Sequence, residues 1–452
     1  MLQSINPYTQ KILQQYPEHT SAELDEIVKK SEAAFLSWKK KMYSERAKFF
    51  ETLSALLLSN KEKYGKLITD EMGKTFKEAL AEIEKCAAAA RYYAEQGESF
   101  LKPTTLKTEA KESYVEYEPL GIVLALMPWN FPFWQVFRCA APAMMAGNTV
   151  ILKLAPNTIG CAEAIHNLFL EAGFPEGCFS SIKIQNETTN YLIQKKAIKA
   201  ISLTGSERAG VIVASEAGKY LKKTVLELGG SDPFIVLEDA DLDFTIEQAV
   251  KARLQNAGQS CIAAKRFILV KSIAESFISK LSQRLESLKL GDPMDPATDI
   301  GPMARADLKA GLISQVKKSV EAGARIIYGS LNESSDNFFS PIILSDVNPK
   351  MPAYEEELFG PVYSIIEVEN EAEAIRVAND SNYGLGASLW TTDLVKAKTL
   401  ATQIESGMVF INNFVHSDIR LPFGGVKLSG YGRELSEIGM KEFVNMKLVY
   451  VG

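Results

Sequence analysis

Cys261 is the residue of this 452-residue chain whose surroundings most suggest covalent chemistry. It follows the glycine-containing segment 255–260, Gln-Asn-Ala-Gly-Gln-Ser, near the middle of the sequence. A free thiol has a pKa of about 8.5, so only roughly a few per cent of it is the nucleophilic thiolate at neutral pH. A cysteine nucleophile at this position therefore needs a base or a positive charge nearby.

Glu227 is the best candidate for that base. None of the three histidines, His19, His166 and His416, stands in a sequence context typical of a Cys/His protease. Glu227 lies in the apolar run 224–228, where burial would raise the pKa of its carboxyl group toward the working range of a base. Taken alone, the pattern fits a buried ion-pair partner equally well.

Two further polar side chains follow an apolar strand predicted at 121–126. Asn130 carries an amide donor that could form part of an oxyanion hole, although an asparagine beside proline also commonly caps a turn. Arg138 follows Asn130 and Trp134 by steps of four, so we predict that the three share one helix face. The surrounding segment is almost free of other charges. Arg138 therefore needs an anion, which is either an internal carboxylate or that of a substrate.

Thr204-Gly205-Ser206 is a possible phosphate-binding turn between a predicted strand and a predicted helix. A glycine turn at a helix N-terminus offers free N–H groups to a phosphate. The segment lacks the G-x-G-x-x-G dinucleotide fingerprint, so an ordinary strand-to-helix turn explains it equally well.

The pattern of apolar residues along the sequence predicts the helices and strands that position these residues. Residues 20–95 have helical periodicity, and Thr20 and Glu23 have capping-box spacing. From residue 120 onward strands alternate with helices, which predicts an α/β fold with parallel sheets, and a second set begins after Gly229-Gly230. The predicted strands are 121–126, 149–152, 200–203, 233–237, 267–270 and 362–368. The predicted helices are 157–172, 273–288, 304–322 and 393–405.

Composition excludes several classes of function. The net charge of −6 gives no electrostatic reason to expect nucleic acid or an anionic membrane as partner. Five cysteines without C-x-x-C spacing argue against a disulfide framework or a zinc site and favour a cytoplasmic location. The cysteine spacing leads us to expect no metal. We see no signal-peptide pattern and no apolar run as long as a membrane span, so we expect no membrane partner.

A series of short motifs resembles the aldehyde dehydrogenase superfamily, in the same order and over nearly the whole chain. Each motif is modest alone, but the ordered set is specific. The segments 129–138 and 153–157 are most similar to the shorter bacterial succinate-semialdehyde dehydrogenases. The motifs are Pro128-Trp129-Asn130, Leu152-Lys153, Thr204-Gly205-Ser206, Glu227-Leu228-Gly229-Gly230, Gly258-Gln259-Ser260-Cys261, Glu357-Leu358-Phe359-Gly360-Pro361, Pro422-Phe423-Gly424-Gly425 and Ser429-Gly430.

The resemblance implies two Rossmann-like parallel-sheet domains and a small β element for oligomerisation. Strand patterns at 112–118 and 447–451 look exposed, so we expect a homodimer or homotetramer built through them. The expected divisions are a nucleotide-binding domain of 1–101 and 120–229, a catalytic domain of 230–430, and oligomerisation strands in 102–119 and 431–452.

The resemblance also implies NAD(P)-dependent oxidation of an aldehyde to a carboxylic acid. Cys261 would attack the aldehyde carbon, and loss of hydride from the thiohemiacetal would leave a thioester. Asn130 and the backbone N–H of Cys261 would hold the oxyanion. Glu227 would activate Cys261 or the hydrolytic water, which argues against a coenzyme-A-acylating enzyme.

Cofactor contacts carry over by motif. Lys153 would bind the adenosine ribose or its phosphate, Ser206 the pyrophosphate, and Glu357 the nicotinamide ribose. Pro156 stands where NAD-preferring members often have a glutamate that would repel a 2′-phosphate. We therefore predict that NADP is accepted, alone or alongside NAD. The full cofactor set is Trp129, Lys153, Thr204, Gly205, Ser206, Glu357 and Phe359.

For the substrate, the resemblance pairs Arg138 with a carboxylate, helped by Ser417 and, more weakly, Ser260. Succinate semialdehyde is the aldehyde that fits best. An enzyme for neutral aliphatic or aromatic aldehydes is the alternative. A non-catalytic relative and a cysteine-dependent esterase are more distant alternatives.

Overall fold

Four helices stand near the start of the chain; the first packs on the first parallel sheet, and the other three pack on one another and on helices that cover that sheet. Thr20 caps the first of them: its Oγ1 accepts from the Glu23 N–H (3.3 Å), and the Glu23 carboxylate accepts from the Thr20 N–H (2.7 Å). The predicted capping box is therefore confirmed. The computed structural model describes residues 1–331 and 333–452. The first elements are β1 (Leu2–Ile5), β2 (Ile12–Tyr16), α1 (Ser21–Trp38), α2 (Tyr43–Ser59), α3 (Lys61–Met72), α4 (Phe76–Phe100), β3 (Thr104–Thr105) and β4 (Glu112–Pro119).

The first parallel sheet follows, with strands and helices in alternation. Its elements are β5 (Ile122–Met127), α5 (Trp134–Met145), β6 (Thr149–Leu154), α6 (Ile159–Glu171), β7 (Phe179–Ile182), α7 (Thr189–Ile193), β8 (Ile198–Thr204), α8 (Glu207–Lys219) and β9 (Lys223–Glu227). The strands are parallel and lie in the order β9-β8-β5-β6-β7. All residues of β5 and β6 are buried, as expected for a sheet covered on both faces.

Helix α5 begins later than predicted. It starts at Trp134, so Asn130 lies in the turn after β5 and not on the helix. The predicted helix face shared by Asn130, Trp134 and Arg138 is therefore wrong for Asn130. Pro132 supplies the reason, because a proline disfavours helical backbone in the residue before it. Trp134 and Arg138 do lie one turn apart on α5, and both are buried.

The second sheet has seven strands in the order β12-β13-β14-β11-β10-β16-β17, in which only β12 runs antiparallel to its neighbour. This sheet confirms the second α/β set that the sequence predicts after Gly229-Gly230. Its segment comprises β10 (Pro233–Val236), α9 (Leu242–Leu254), β11 (Arg266–Val270), α10 (Lys271–Glu286), α11 (Ala306–Glu321), β12 (Arg325–Tyr328), β13 (Ile342–Ser345), α12 (Pro352–Glu355), β14 (Val362–Val368), α13 (Glu371–Asn379), β15 (Tyr383–Gly384), β16 (Gly386–Trp390), α14 (Leu394–Ala401) and β17 (Met408–Ile411).

The end of the chain returns to the first sheet. Its elements are β18 (Val426–Lys427), β19 (Gly430–Tyr431), α15 (Ser436–Lys441) and β20 (Val444–Val451). β19 adds to the edge of β9, and β20 pairs along its whole length with β4. The two predicted exposed strands are thus confirmed as strands, and they pair with each other. The predicted domain boundaries stay predictions.

The topology gathers polar residues at one edge of the first sheet. Asn130 follows β5, Lys153 is in β6, and Thr204 and Glu227 end β8 and β9. Carboxyl ends of parallel strands are where α/β proteins bind ligands. Cys261 comes from the other segment, in the loop before β11. Within the described residues, no helix is both long and apolar enough to cross a lipid bilayer.

Candidate active site

A pocket of about 160 Å³ lies where helices α4 and α5 meet the loop before β11. Four residues predicted from the sequence line its wall: Cys261, Ser260, Arg138 and Ser417. The thiol and the three predicted substrate contacts therefore share one cavity, which we call the Cys261 pocket.

The loop that leads to Cys261 has a strained backbone. Asn256 and Ala257 have φ angles of 55° and 53°, a left-handed conformation that costs of order 1–3 kcal/mol for residues other than glycine. Glu78 Oε1 accepts a 2.7 Å hydrogen bond from the Asn256 N–H. The Asn256 Nδ2 donates to the carbonyl oxygens of Asn130 (2.9 Å) and Gln259 (3.1 Å). Neighbouring elements thus hold the loop in its strained form.

Asn130 is buried and faces the same loop. Its Nδ2 donates to the Gln259 carbonyl oxygen over 3.1 Å. The Gln259 side chain is itself fixed, because it accepts from the Ala304 N–H (2.9 Å) and donates to the Asn256 carbonyl (3.2 Å). The structure therefore brings Asn130 to the segment that carries Cys261.

The Cys261 side chain is partly buried, and its surroundings act against ionisation of the thiol. Burial raises the pKa of this thiol to about 12, while the positive charges of Arg138 and Lys265 act to lower it. Lys265 Nζ also donates to the carbonyl oxygens of Ser260 (2.9 Å) and Cys261 (2.6 Å). A nucleophilic role for this thiol therefore requires a base to activate it.

Glu227 is buried at the end of β9, and neither of its carboxylate oxygens has a hydrogen-bond partner among the described residues. Burial raises the pKa of Glu227 well above its usual value, and Glu434 raises it further. A Cβ at Gly424 would lie 2.5 Å from Glu227 Oε1, so the carboxyl group rests against that turn. Glu227 therefore does not hydrogen-bond to the Cys261 thiol here, although both groups respond to the charge of Arg138.

Arg138 has an internal anion. It forms an ion pair with Glu434, and both side chains are buried. Its Nη2 also donates to Thr204 Oγ1 (3.2 Å), and its guanidinium lies 4.4 Å from the centre of the Phe423 ring. Of the two partners that the sequence left open, the structure supplies the internal carboxylate, while Arg138 still lines the Cys261 pocket.

Lys85 is a pocket residue that no sequence motif indicates. Its Nζ donates to Ser417 Oγ over 2.6 Å and lies 4.4 Å from the centre of the Trp134 ring. Burial lowers the pKa of Lys85 to about 8, and the charge of Arg138 lowers it too. Lys85 begins an alanine-rich stretch of α4, a pattern that predicts only a close-packed helix.

The residues predicted at the nicotinamide end of the cofactor gather near the thiol-bearing loop. The Trp129 and Phe359 rings meet edge to face, with centroids 5.9 Å apart. Glu357 Oε1 accepts from the Gly230 N–H (3.1 Å) and lies 3.4 Å from Lys265 Nζ. This is the same lysine that bonds to the carbonyl groups of that loop.

The residues predicted at the adenosine and phosphate end lie at the carboxyl edge of the first sheet. Lys153 is buried in β6, and its Nζ contacts the amide oxygen of Asn186. Burial lowers the pKa of Lys153 to about 8. Thr204-Gly205 form the turn before α8, and Ser206 caps that helix. Lys153 is a buried cation with a neutral partner, which suits a ribose or its phosphate. The N-terminus of α8 offers N–H groups that suit a phosphate.

Comparisons with known proteins agree with this geometry. Residues 1–449 match the model of the aldehyde dehydrogenase family. A succinate semialdehyde dehydrogenase [NAD(P)+] of Escherichia coli is 43% identical, with 99% of this chain and 97% of that protein covered. A succinate-semialdehyde dehydrogenase [NADP(+)] of Deinococcus radiodurans is also 43% identical, with 99% and 94% covered. The crystal structure of succinic semialdehyde dehydrogenase from Streptococcus pyogenes, in complex with NADP+ as the cofactor, is 40% identical with a TM-score of 0.98, and each chain is covered completely.

Proposed function

This chain belongs to the aldehyde dehydrogenase family, and we propose that it oxidises succinate semialdehyde to succinate with NADP or NAD as the hydride acceptor. The observation that carries the proposal is the Cys261 pocket, whose wall holds both the thiol and cationic side chains. A thiolate can capture an aldehyde carbon, and a cation can bind the carboxylate at the other end of the same molecule.

Cys261 is the nucleophile in this proposal. Its sulfur forms a bond to the aldehyde carbon, and the thiol proton passes to Glu227, either directly or through water. The raised pKa of Glu227 makes its carboxylate a stronger base than an exposed carboxylate. Because no hydrogen bond joins the two groups here, the Glu227 side chain must rotate or a water molecule must bridge them.

Asn130 and the Cys261 backbone N–H hold the oxyanion that forms at this step. Water later attacks the carbonyl carbon of the thioester, the carbon–sulfur bond breaks, and the acid is released. Before this step Glu227 releases the thiol proton to solvent; it then accepts a proton from the attacking water, and that proton passes to the departing sulfur. Asn130 is suited to its role because the loop it contacts is fixed through Gln259, whose carbonyl oxygen and side chain both accept hydrogen bonds.

The residues fit a nicotinamide dinucleotide. When it is bound, NAD(P) supplies the acceptor for the hydride that leaves the thiohemiacetal carbon. Lys153 and Ser206 would hold the adenosine ribose and the phosphates, and Glu357 the nicotinamide ribose. Trp129 and Phe359 would pack nearby. Pro156 places no carboxylate near a 2′-phosphate, which supports acceptance of NADP.

A second candidate is the oxidation of neutral aldehydes, and one observation favours it. The ion pair with Glu434 already compensates the charge of Arg138, which reduces the attraction of Arg138 for a further anion. Under this alternative the pocket would bind an aliphatic chain against Trp134 and Phe423.

Initial-rate kinetics separate the two candidates. We expect kcat/KM for succinate semialdehyde to exceed that for butanal, a neutral aldehyde of equal chain length, by about 10- to 100-fold, the value of one charge-assisted hydrogen bond. Both nicotinamides are tested with each aldehyde. Cys261→Ser should abolish turnover of both aldehydes. Equal efficiency for the two aldehydes would instead support the neutral-aldehyde function.

We also propose a homodimer or homotetramer. In the three-stranded sheet β20-β4-β3, β20 is an edge strand that exposes Met446, Leu448 and Tyr450. Exposed apolar residues on an unpaired edge favour association with another chain. Sedimentation analysis would test this, and a monomer at micromolar concentration would contradict it. A cytoplasmic location stays a prediction, consistent with five free thiols.

A further inference from the structure

Two cationic side chains line the Cys261 pocket, and they differ in their partners. Arg138 is paired with the buried carboxylate of Glu434. Lys85 contacts the Ser417 hydroxyl (2.6 Å) and the face of the Trp134 ring (4.4 Å), neither of which carries a negative charge. One pocket cation is therefore compensated and the other is not.

Two carboxylates whose charges act on Lys85, those of Glu82 and Asp418, are already occupied. Glu82 lies one turn before it on α4 and forms an ion pair with Lys74 (2.6 Å), while its other oxygen accepts from the backbone N–H groups at the start of α5. Asp418 forms an ion pair with Arg420 (2.6 Å). Across residues 1–331 and 333–452, no carboxylate lies within 4.0 Å of Lys85 Nζ.

A partly buried ammonium group that lacks a carboxylate partner is better compensated when an anion completes its surroundings. Lys85 is partly buried and lines the same cavity as the Cys261 thiol. The Ser417 hydroxyl can rotate to donate to an anion that Lys85 also contacts. Together the two groups form an anion-binding site inside the pocket.

We propose that Lys85 is a substrate-binding residue that determines specificity: it binds the distal carboxylate of the aldehyde together with Ser417. Arg138, held by Glu434, lies on the same wall and contributes less charge to this contact. This inference rests on the proposed function, because it names the group that selects an acidic aldehyde over a neutral one.

Lys85→Met tests the inference, since methionine keeps much of the length of the side chain and removes the charge. We expect the ratio of KM for succinate semialdehyde to KM for butanal to rise by about 10- to 100-fold, with Lys85→Arg retaining most of the wild-type ratio. Lys77→Met, an exposed lysine on the same helix, is the matched control and should leave the ratio unchanged. If Lys85→Met does not fold, Lys85→Gln provides the same comparison.

Inhibition of butanal oxidation by butanoate separates this inference from the proposed substrate. Wild-type protein should bind butanoate at least about 10-fold more tightly than Lys85→Met does. Wild-type protein could prefer butanal to succinate semialdehyde while the Lys85→Met variant binds butanoate more weakly than wild type does. That outcome would rule out the proposed substrate and support the anion site. If Lys85→Met or Lys85→Gln keeps both butanoate affinity and the wild-type KM ratio, the role of Lys85 is overturned.

Discussion

The side-chain amide of Asn130 donates a 3.1 Å hydrogen bond to the carbonyl of Gln259, two residues before the cysteine that would attack the substrate. This bond joins the carboxyl end of β5 to the loop before β11. An amide nitrogen carries two protons, so one can hold the loop while the other contacts an oxyanion. Asn130 is therefore placed to serve both the architecture and the reaction.

Replacing Asn130 with alanine should lower kcat by about 100- to 1000-fold, because an oxyanion-hole donor is lost. The dissociation constant for NADP, followed by fluorescence titration, should change much less. Asn130→Asp keeps the size of the side chain but removes the donor, so we expect a similar loss. A kcat within about 10-fold of wild type in Asn130→Asp would contradict the role of the donor.

Glu78→Ala should lower kcat because it removes a hydrogen bond that holds the loop carrying Cys261, although Glu78 takes no part in the reaction itself. Glu78 accepts the Asn256 N–H in a segment whose φ angles are strained, so its loss should loosen the position of Cys261. The free energy of unfolding should also fall by about 1–2 kcal/mol.

Glu78 also belongs to the capping box of Thr75, so a control is needed. Thr75→Ala disrupts that cap without removing the acceptor of the Asn256 N–H. We expect Thr75→Ala to lower stability while kcat stays near the wild-type value, and Glu78→Gln to restore part of the activity. Equal losses of kcat in Glu78→Ala and Thr75→Ala would rule out a role specific to the loop.

Alkylation of Cys261 by iodoacetamide should have an unusual pH dependence. Because burial raises the pKa of the thiol to about 12, the thiolate fraction at pH 8 is lower in the folded protein than in an unfolded chain. The rate should therefore continue to rise above about pH 9, where a free thiol approaches its maximum.

Mass spectrometry of the Cys261 peptide measures this rate, and Cys261→Ser identifies the modified site. The other four cysteines are buried, which makes the labelling selective. A rate that levels off near about pH 8.5 would show that the thiol ionises like a free one.

Glu434→Gln should lower the free energy of unfolding by about 3 kcal/mol, because it leaves Arg138 buried without its partner. The pKa of Glu227 should fall as well, since the charge of Glu434 raises it. Denaturant unfolding measures the first effect. Glu437→Gln, in the more exposed pair with Lys441, is the control and should cost less than about 1 kcal/mol. Equal costs for the two variants would mean that the buried pair adds no special stability.

Pro156→Glu should shift cofactor use from NADP toward NAD by about 10-fold or more. A carboxylate there would repel a 2′-phosphate and accept hydrogen bonds from an unmodified ribose. Pro156→Gln is a control of the same size without the charge. The measurement is the ratio of kcat/KM for NADP to kcat/KM for NAD. The same ratio in Pro156→Glu and Pro156→Gln would show that the negative charge does not cause the shift in cofactor use.

Local patterns predicted the parts of the fold that depend on neighbouring residues in sequence. The Thr20 capping box and the strand Val362–Val368 are found as predicted. Short strands such as Ile342–Ser345 and Met408–Ile411 were missed, because apolar runs of four residues do not distinguish a strand from a helix segment. Asn130 lies outside the helix although its i, i+4 spacing suits one, because Pro132 disfavours helical backbone in the preceding residue and the helix begins only at Trp134.

The pocket shows a different limit of sequence reasoning. Cys261 and Asn130 could be selected by residue type and motif, and the structure places them at one loop. The partner of Arg138 could not be identified, because Glu434 comes from the far end of the chain and no periodicity links the two. Lys85 was missed for a related reason: a lysine on an alanine-rich helix looks like a solvated residue until the tertiary structure covers it.

Gly424 has a consequence for the acid that it faces. The carboxyl group of Glu227 fits against this turn only because position 424 has no side chain, since even a methyl group would stand 2.5 Å from Oε1. The position of the Glu227 carboxyl group thus depends on the lack of a Cβ atom at residue 424. Replacing Gly424 with alanine would therefore displace the Glu227 carboxyl group from its observed position, although no reacting group is changed.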